Sequence, residues 1–151
     1  MGQAHLKKRQ QSVGRGRKGV GTKIHVALSS EKIQGACLSA SNQVDMNAFP
    51  ALWHQSDWRG IDYIVADKGY DCGKVRNPIN KAGKTAVIPR RKGAVYPGVR
   101  DKERYKTRSA IERFFGKIKD NERLALCFDK LDATFFSFFA LGCINVLNLL
   151  C

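Results

Sequence analysis

Short apolar runs between turn-forming residues constrain the fold of this chain most strongly. Residues 61–66 (IDYIVA) and 85–88 (TAVI) are rich in Ile, Val and Ala, and Gly, Asp, Lys or Pro stands at their ends. Runs this short and this apolar are typical of buried parallel strands. The alternating residues 23–29 and the returning segment Ile33–Ala40 are separated by a Ser-Glu-Lys turn, which predicts a β-hairpin. The sequence therefore predicts a sheet that combines antiparallel and parallel pairs.

Helices are predicted between and after these strands. Residues 47–55 form a short helix with Pro50 in its first turn, because proline is tolerated there. The next helix runs from Asp71, as its N-cap, to Lys81 before Gly83.

The C-terminal part of the chain is predicted to be helical. Residues 101–119 are expected to form one long helical stretch, and residues 131–151 an apolar helix. Hairpin, helix, strand, helix, strand and helix in this order predict a mixed α/β domain over residues 23–151. Residues 1–22 are basic, lack apolar periodicity and are predicted to be a flexible N-terminal segment.

Charge is distributed in blocks. The chain carries a net charge of +14, with +7 in residues 1–30, −3 in residues 31–73, +12 in residues 74–119 and −2 in residues 120–151. Two basic blocks that flank an acidic one predict a polyanionic partner. The carboxylates would lie in the middle of the protein surface that binds this partner.

A membrane location is not favoured. The one long apolar stretch, residues 133–151, contains Thr134, Ser137, Asn145 and Asn148, and a span needs about 20 predominantly apolar residues. We interpret it as a buried terminal helix and expect a cytoplasmic protein.

Asp67 is the first candidate site residue. It follows the apolar run 61–66, and ligands of open α/β sheets bind outside the carboxyl ends of strands. Two roles for Asp67 fit this segment equally well: a metal ligand or base, and a simple turn aspartate before a glycine. His25, in the first strand of the hairpin, is interpreted as a packed strand residue rather than a ligand.

The helix 101–119 contains a second candidate. Tyr105, Arg108, Glu112 and Lys119 fall on one stripe of a helix with 3.6 residues per turn. A neighbouring apolar stripe of Ile111, Phe115 and Ile118 would dock on the sheet. Spacing alone slightly favours a surface ion pair of Arg108 with Glu112 over a functional role.

These residues match the pattern Y-x2-R-x3-E-x6-K. Together with VADKGYD at 65–71 and TAVIPRR at 85–91, the segment RYKTRSAIERFFGKIK at 104–119 closely resembles DDE transposases of bacterial insertion sequences. Within these transposases, the sequence resembles insertion-sequence family five of the family-four superfamily. GRGRKGVGTKIHVAL at 14–28 and SNQVDMNAFPAL at 41–52 fit the same family.

The resemblance implies a ribonuclease-H-like fold in which three carboxylates hold two Mg²⁺ ions, with Mn²⁺ as a possible substitute. It implies that Asp67 is the second aspartate and Glu112 the glutamate of that set. Arg108 and Lys119 would contact phosphates of double-stranded DNA, and Tyr105 would line the DNA path. The basic loop with Arg90, Arg91 and Lys92 is a further expected DNA contact. The active complex is expected to be a homo-oligomer on nucleoid DNA.

The sequence departs from the family at the first aspartate. No Asp or Glu precedes Glu31, and Asp45 matches a different family position, so we do not assign it to the gap. Ala4-His5 resembles the stretch that follows the family's first strand. We therefore expect a truncated central strand, a marginally stable sheet with open edges, and a chain that is the C-terminal part or second-frame product of a transposase.

Three functions remain open at this point. The first is the catalytic portion of a transposase that needs the missing segment. The second is a catalytically inactive DNA-binding remnant or regulator. The third is an unrelated basic RNA-binding or ribosomal protein, against which the ordered acids Asp67 and Glu112 argue, because a polyanion binder gains nothing from them.

Overall fold

The described residues form a mixed α/β structure with two small sheets. The computed structural model describes residues 12–16, 19–29, 32–94, 101–120 and 132–147. The strands are β1 (Gly14–Gly16), β2 (Gly19–Leu28), β3 (Ile33–Ala40), β4 (Tyr63–Val65) and β5 (Thr85–Val87). The helices are α1 (Phe49–Gln55), α2 (Gly73–Lys81), α3 (Lys102–Lys106), α4 (Ser109–Lys119) and α5 (Asp132–Val146). Two 3-10 turns lie at Asp45–Asn47 and Lys68–Tyr70. The prediction of a mixed α/β fold is confirmed.

The predicted hairpin is present and begins earlier than expected. β2 pairs antiparallel with β3, and Ile24 lies opposite Leu38. The short strand β1 pairs with the first residues of β2, so part of the segment predicted to be flexible is a strand. Its glycine-rich sequence carries no apolar alternation. Backbone pairing holds it in place, together with side-chain hydrogen bonds such as that from the Ser41 hydroxyl to the Gly14 carbonyl. The rest of the predicted flexible segment, residues 1–11 and 17–18, lies outside the described residues.

The two later strands are parallel, as predicted. β4 pairs with β5, and Ile64 lies opposite Ala86. Within the described residues, β1-β2-β3 and β4-β5 are separate sheets with no ladder between them. The side of β4 away from β5 is therefore an unpaired edge in this part of the chain.

The hairpin is covered by helices on both faces. Alternate residues of β2, such as Ile24 and Val26, pack against a core formed by α4 and α5, in which Phe114 and Phe139 are buried. The opposite face packs on α1 through Cys37, Ala48 and Leu52. This alternation follows from the two-residue period of a strand, which sends successive side chains to opposite faces.

A second core lies under the parallel pair. Its buried residues are Phe49 of α1, Val75 and Ile79 of α2, and Ile88 after β5. Half-buried Ile64 and Ala86 from β4 and β5 pack against it. Because α1 packs on the hairpin through Leu52 and contributes Phe49 to the core under the parallel pair, it connects the hairpin with the parallel sheet.

Residues 101–119 form two helices rather than one. Around Thr107 and Arg108 the amide hydrogen bonds run to the third residue back, as in Arg108 to Tyr105 (3.1 Å). This tightening divides α3 from α4, and α5, with 15 residues, is the longest described helix. The prediction of one continuous helical stretch over residues 101–119 is therefore wrong.

The apolar face of α4 does dock on the sheet as predicted. Its most deeply buried residues are Phe114 and Ile118, whereas Ile111 and Phe115 are half-buried at its margin. The predicted stripe omitted Phe114, which lies between Ile111 and Ile118 on the helix surface.

The C-terminal helix α5 is apolar around most of its circumference. Phe135, Phe139 and Cys143 recur every fourth residue on its buried side. The N-terminal chain is tied to its first turn, since the Ser12 amide donates to both carboxylate oxygens of Asp132 at 2.8 and 2.7 Å. Within the residues described, no helix is both long and apolar enough to cross a membrane.

Candidate active site beside the Asp67 turn

Asp67 lies where the parallel strand β4 ends and the 3-10 turn Lys68–Tyr70 begins. Its Oδ1 accepts a hydrogen bond from the Gly69 amide at 2.7 Å, and its carbonyl accepts one from the Tyr70 amide at 3.1 Å. The carboxylate therefore caps the turn at the carboxyl end of a parallel strand. This is the location expected from the sequence, and the cap is the turn role that was weighed against a ligand role.

A second carboxylate, that of Asp45, faces the same turn. A methyl group built on Gly69 would lie 2.8 Å from Oδ1 of Asp67 and 3.8 Å from Oδ2 of Asp45. Both carboxylates therefore border one glycine, although they belong to connections after different strands. Sequence reasoning did not assign Asp45 to this site.

Cationic and phenolic groups surround the two carboxylates. The Lys23 ammonium lies 2.8 Å from Oδ1 of Asp45 and also donates to the Gln43 carbonyl at 2.8 Å. Burial raises the pKa of Tyr70 well above its ordinary value, and the charges of Asp45 and Asp67 raise it further. The Tyr70 phenol therefore stays protonated at neutral pH and can donate a hydrogen bond.

A buried polar chain supports Tyr70 from behind. The Tyr70 hydroxyl lies 3.0 Å from Nδ1 of His25, and Nε2 of His25 lies 2.8 Å from Oγ of Ser39. His25 and Ser39 are both buried, with exposed fractions of 6% and 4%. Burial lowers the pKa of His25, so the imidazole is neutral at neutral pH. The interpretation of His25 as a packed strand residue agrees with this burial, but its link to the Asp67 turn was missed.

Asp71 does not cap α2, so that prediction is wrong. The N-cap of α2 is Cys72, and the Asp71 carboxylate turns instead to the basic residues. Its Oδ1 lies 2.8 Å from Nε of Arg76 and 3.3 Å from Nη1 of Arg90, and its Oδ2 accepts from the Arg91 amide at 2.8 Å. Burial raises its pKa, but the hydrogen bonds from Arg91 and Arg76 outweigh that effect, and the pKa is below its ordinary value.

The segment Arg90, Arg91 and Lys92 leaves β5 beside the Asp67 turn. The Arg91 guanidinium donates through Nε to the Lys68 carbonyl at 3.1 Å and through Nη2 to the Gly69 carbonyl at 2.8 Å. All three residues are exposed. The structure thus brings a cationic segment next to Asp67, as the charge distribution suggested.

Glu112 lies on α4 and pairs with Arg108 of the preceding turn. Nη1 of Arg108 is 3.0 Å from Oε1 of Glu112, and the two side chains are 35% and 59% exposed. This is the ion pair that spacing alone favoured. Among the described residues, no three His, Cys, Asp or Glu side chains form a group that could hold a metal ion, so Glu112 does not join Asp45 and Asp67 in one such cluster.

The remaining predicted residues lie on separate helices, so the single helix predicted to carry Tyr105, Arg108, Glu112 and Lys119 is not observed. Tyr105 is half-buried on α3, and Lys119 is exposed at the last residue of α4. The Arg104 guanidinium lies over the Tyr63 ring at 5.1 Å, which places α3 against β4. Because α4 packs on the hairpin, the segment 102–119 contacts both sheets.

The oxygen ligands beside the Asp67 turn are of the kind that magnesium prefers. Asp45 and Asp67 offer carboxylate oxygens, and Mg²⁺ takes one or two carboxylates while keeping several waters. The Lys23 ammonium already neutralises Asp45, so an ion there would compete with it. Two carboxylates fit one ion, whereas a two-ion site requires further ligands.

A comparison with protein families identifies the class of protein to which the chain belongs. The family model described as transposase DDE domain matches residues 2–147, which is almost the whole chain. The chain therefore belongs to the transposase DDE domain family, whose function is transposition and which generally uses divalent metal ions. No solved structure matches the chain.

Proposed function

We propose that this chain carries the catalytic carboxylates Asp67 and Glu112 of a transposase that cuts and joins DNA by metal-dependent phosphoryl transfer. The observation that carries the proposal is the position of Asp67 at the carboxyl end of parallel strand β4. There it stands beside a second carboxylate, Asp45, and beside the exposed cationic segment 90–92. Carboxylates next to cations are what a phosphodiester substrate and a divalent ion together require.

Bound divalent ions would activate the attacking water or 3′ hydroxyl and stabilise the leaving oxygen. The protein's own groups have the other tasks. Asp67 is held in place by the turn, and Glu112 is paired with Arg108 at 3.0 Å. Arg108, Lys119 and the segment 90–92 supply positive charge toward DNA phosphates, and Tyr105 lines the DNA path. Duplex DNA should be bound with affinity that falls steeply as salt rises.

The carboxylate set needs one more member in this proposal. Residues 1–30 contain no Asp or Glu. We infer that a segment outside residues 1–151, on the same polypeptide or from an overlapping reading frame, supplies the first aspartate. A strand from that segment would fit between the two separate sheets and join them into one ribonuclease-H-like sheet. Two or more copies would assemble at the paired DNA ends.

A second candidate function is a catalytically inactive DNA-binding remnant or regulator. The observation that favours it is the absence, among the described residues, of any three-membered group of metal-binding side chains. The basic segments would serve this function without a complete metal site.

The deciding experiment supplies the upstream segment and measures cleavage. The 151-residue protein is assayed for Mg²⁺-dependent nicking of DNA that carries the element's ends, alone and with a segment that contributes the first aspartate. We expect activity only with the segment. Asp67→Asn and Glu112→Gln should lower the rate by several orders of magnitude, since each removes a charged ligand and keeps its shape. Arg108→Ala should cost about 10²–10³ in rate, the size found for loss of one electrostatic donor.

Glu103→Gln is the matched control, because Glu103 is an exposed carboxylate on α3 that pairs with Lys106 at 2.8 Å. Its rate should equal that of the unsubstituted protein. If Glu112→Gln is folded and as active as Glu103→Gln, Glu112 is only a surface ion-pair partner. Activity of the 151-residue protein alone would remove the need for a supplied aspartate and would direct attention to Asp45.

A further inference from the structure

The basic segment after β5 has exposed side chains, but its backbone is held in place by a buried carboxylate. The anchor is Asp71, whose side chain is only 4% exposed and is paired with Arg76 and Arg90. Arg76 in turn donates to the carbonyls of Ala86 (3.3 Å) and Ile88 (2.6 Å) at the end of β5. The Arg91 amide completes this anchor by donating to Asp71 at 2.8 Å. The backbone at Arg91 therefore has a fixed position relative to the Asp67 turn.

The Arg91 side chain extends from this fixed backbone back onto the turn. Its two donors reach the carbonyls of Lys68 and Gly69, which are consecutive residues of the 3-10 turn. A guanidinium presents its N–H groups in a rigid planar fork, so one side chain can bridge two acceptors. On its inner side, the same turn is closed by the hydrogen bond from the Gly69 amide to Asp67. Gly69 is thus held through its N–H by Asp67 and through its carbonyl by Arg91.

The neighbouring Lys92 is placed differently. It is exposed, and it follows the anchored residue by one position. A lysine ammonium is a compact point charge on a flexible stem, which suits contact with a phosphate but not bridging of two fixed carbonyls. The three cations of the segment are therefore not equivalent.

We propose that Arg91 is a positioning residue for Asp67, and that within this segment phosphate contact falls to Lys92, since Arg90 pairs with the buried Asp71 carboxylate. The Arg91 fork sets the geometry of the turn 67–70 and, through it, the direction of the Asp67 carboxylate. This inference rests on the proposed function, because the position of Asp67 matters for catalysis only if Asp67 is a metal ligand.

The test compares Arg91→Lys and Arg91→Ala with Lys92→Ala. Amide hydrogen exchange at Gly69 and Tyr70 is measured by NMR in metal-free protein. Both Arg91 variants should speed exchange at these amides by about tenfold, since lysine keeps the charge but cannot bridge two carbonyls. Lys92→Ala should leave these amides unchanged. The affinity for Mn²⁺, measured by electron paramagnetic resonance, should fall in both Arg91 variants and stay constant in Lys92→Ala.

Binding to duplex DNA should show the opposite result, with an effect in Lys92→Ala and none in the two Arg91 variants. In Lys92→Ala the slope of log K against log salt concentration should become shallower by about 0.9, the value for one lost phosphate contact. Both Arg91 variants should keep the slope of the unsubstituted protein. The proposal is overturned if Arg91→Ala lowers the slope, Arg91→Lys restores it and the turn amides exchange as before. It is also overturned if Mn²⁺ affinity does not change in either Arg91 variant.

Failure of the proposed function has a separate signature. An unsubstituted protein that binds neither duplex DNA nor Mn²⁺ contradicts the transposase proposal for this chain. In that case exchange at Gly69 and Tyr70 still decides whether Arg91 holds the turn.

Discussion

Gly69 stands between the carboxylates of Asp67 and Asp45, and both its backbone groups are engaged. Its amide donates to Asp67 at 2.7 Å and its carbonyl accepts from Arg91 at 2.8 Å. A residue held in this way cannot move aside to admit a side chain. Absence of a Cβ at this position is therefore a requirement of the site geometry rather than of backbone conformation.

Gly69→Ala should displace the Asp67 carboxylate. The added methyl would lie 2.8 Å from Oδ1 of Asp67, a contact that forces a shift. Overpacking of this kind costs about 1–3 kcal/mol in the free energy of unfolding. Urea denaturation measures this cost, and an Mn²⁺ titration measures the expected loss of metal affinity.

Gly73→Ala is the control, because its methyl would meet only Nδ2 of Asn77 at an ordinary 3.5 Å. It should change the free energy of unfolding by less than about 0.5 kcal/mol. Equal stability and equal metal affinity for the two alanine variants would show that the turn yields easily and that Asp67 is not held as described.

At the scale of elements, α4 connects the candidate glutamate with the hairpin core. Phe114 and Ile118 anchor one side of the helix, while Glu112 and Lys119 lie on its exposed side. The helix contains Gly116, a residue that destabilises helix interiors by its extra freedom in the unfolded chain. Packing against α5 rather than local propensity therefore stabilises α4.

Gly116→Ala should stabilise the protein. A methyl at this position meets nothing within 4 Å among the described surroundings. Relief of the glycine penalty should add about 0.5–1 kcal/mol to the free energy of unfolding. Urea denaturation followed by circular dichroism measures the change.

Gly35→Ala in β3 makes the opposite comparison. There a methyl would run into the side chain of Ser56, which donates to the Leu52 carbonyl at 2.6 Å at the end of α1. This variant should be destabilised. A Gly116→Ala protein that is no more stable than the parent would contradict the open space around Gly116.

On the scale of the whole molecule, a buried polar chain joins the hairpin to the turn after β4. The α4–α5 core lies on one face of the hairpin, and the α2 core lies against the parallel sheet. Ser39, His25 and Tyr70 connect the hairpin with the turn that follows β4. Packing of the two sheets should therefore depend on the protonation state of His25.

The stability of the protein should fall as the pH drops below about 6.5, the ordinary histidine pKa. Burial lowers the pKa of His25 in the folded state, with opposing effects of Asp45, which raises it, and Lys23, which lowers it. The unfolded state then binds the proton more readily, so stability is complete above the unfolded pKa and is lost as pH falls toward the folded one. The midpoint of urea denaturation, measured from about pH 8 to about pH 5, reports this loss of stability. In His25→Gln the midpoint should change less over the same pH range.

His54→Gln is the matched control, since His54 is exposed at the end of α1. It should leave the pH profile unchanged. A profile that keeps its slope in His25→Gln would assign the acid sensitivity to other groups and would contradict the role of the buried chain.

Local patterns in the sequence predicted most of the elements, but not β1 or the division of residues 101–119 into α3 and α4. Alternation of Ile24, Val26 and Leu28 predicted the hairpin and its core-facing side. The short run around Ile64 predicted a parallel strand, but its residues are half-buried rather than buried as expected. Such patterns work because side-chain direction repeats every two residues in a strand and every 3.6 in a helix. They also located Asp67 at the carboxyl end of its strand. The assignment of Asp67 and Glu112 as metal ligands stays a prediction.

Only the tertiary structure decided which polar side chains meet. His25 and Tyr70 are 45 residues apart in sequence, and Asp71 and the Arg91 amide are 20 apart, yet each pair shares a hydrogen bond. No local period carries such information, because it depends on how α1 connects the hairpin with the parallel sheet. For the same reason the sequence assigned Asp71 to a helix cap, the role that its nearest neighbours suggested. Burial beside Arg76 and the Arg91 amide offered the carboxylate stronger, charge-assisted partners.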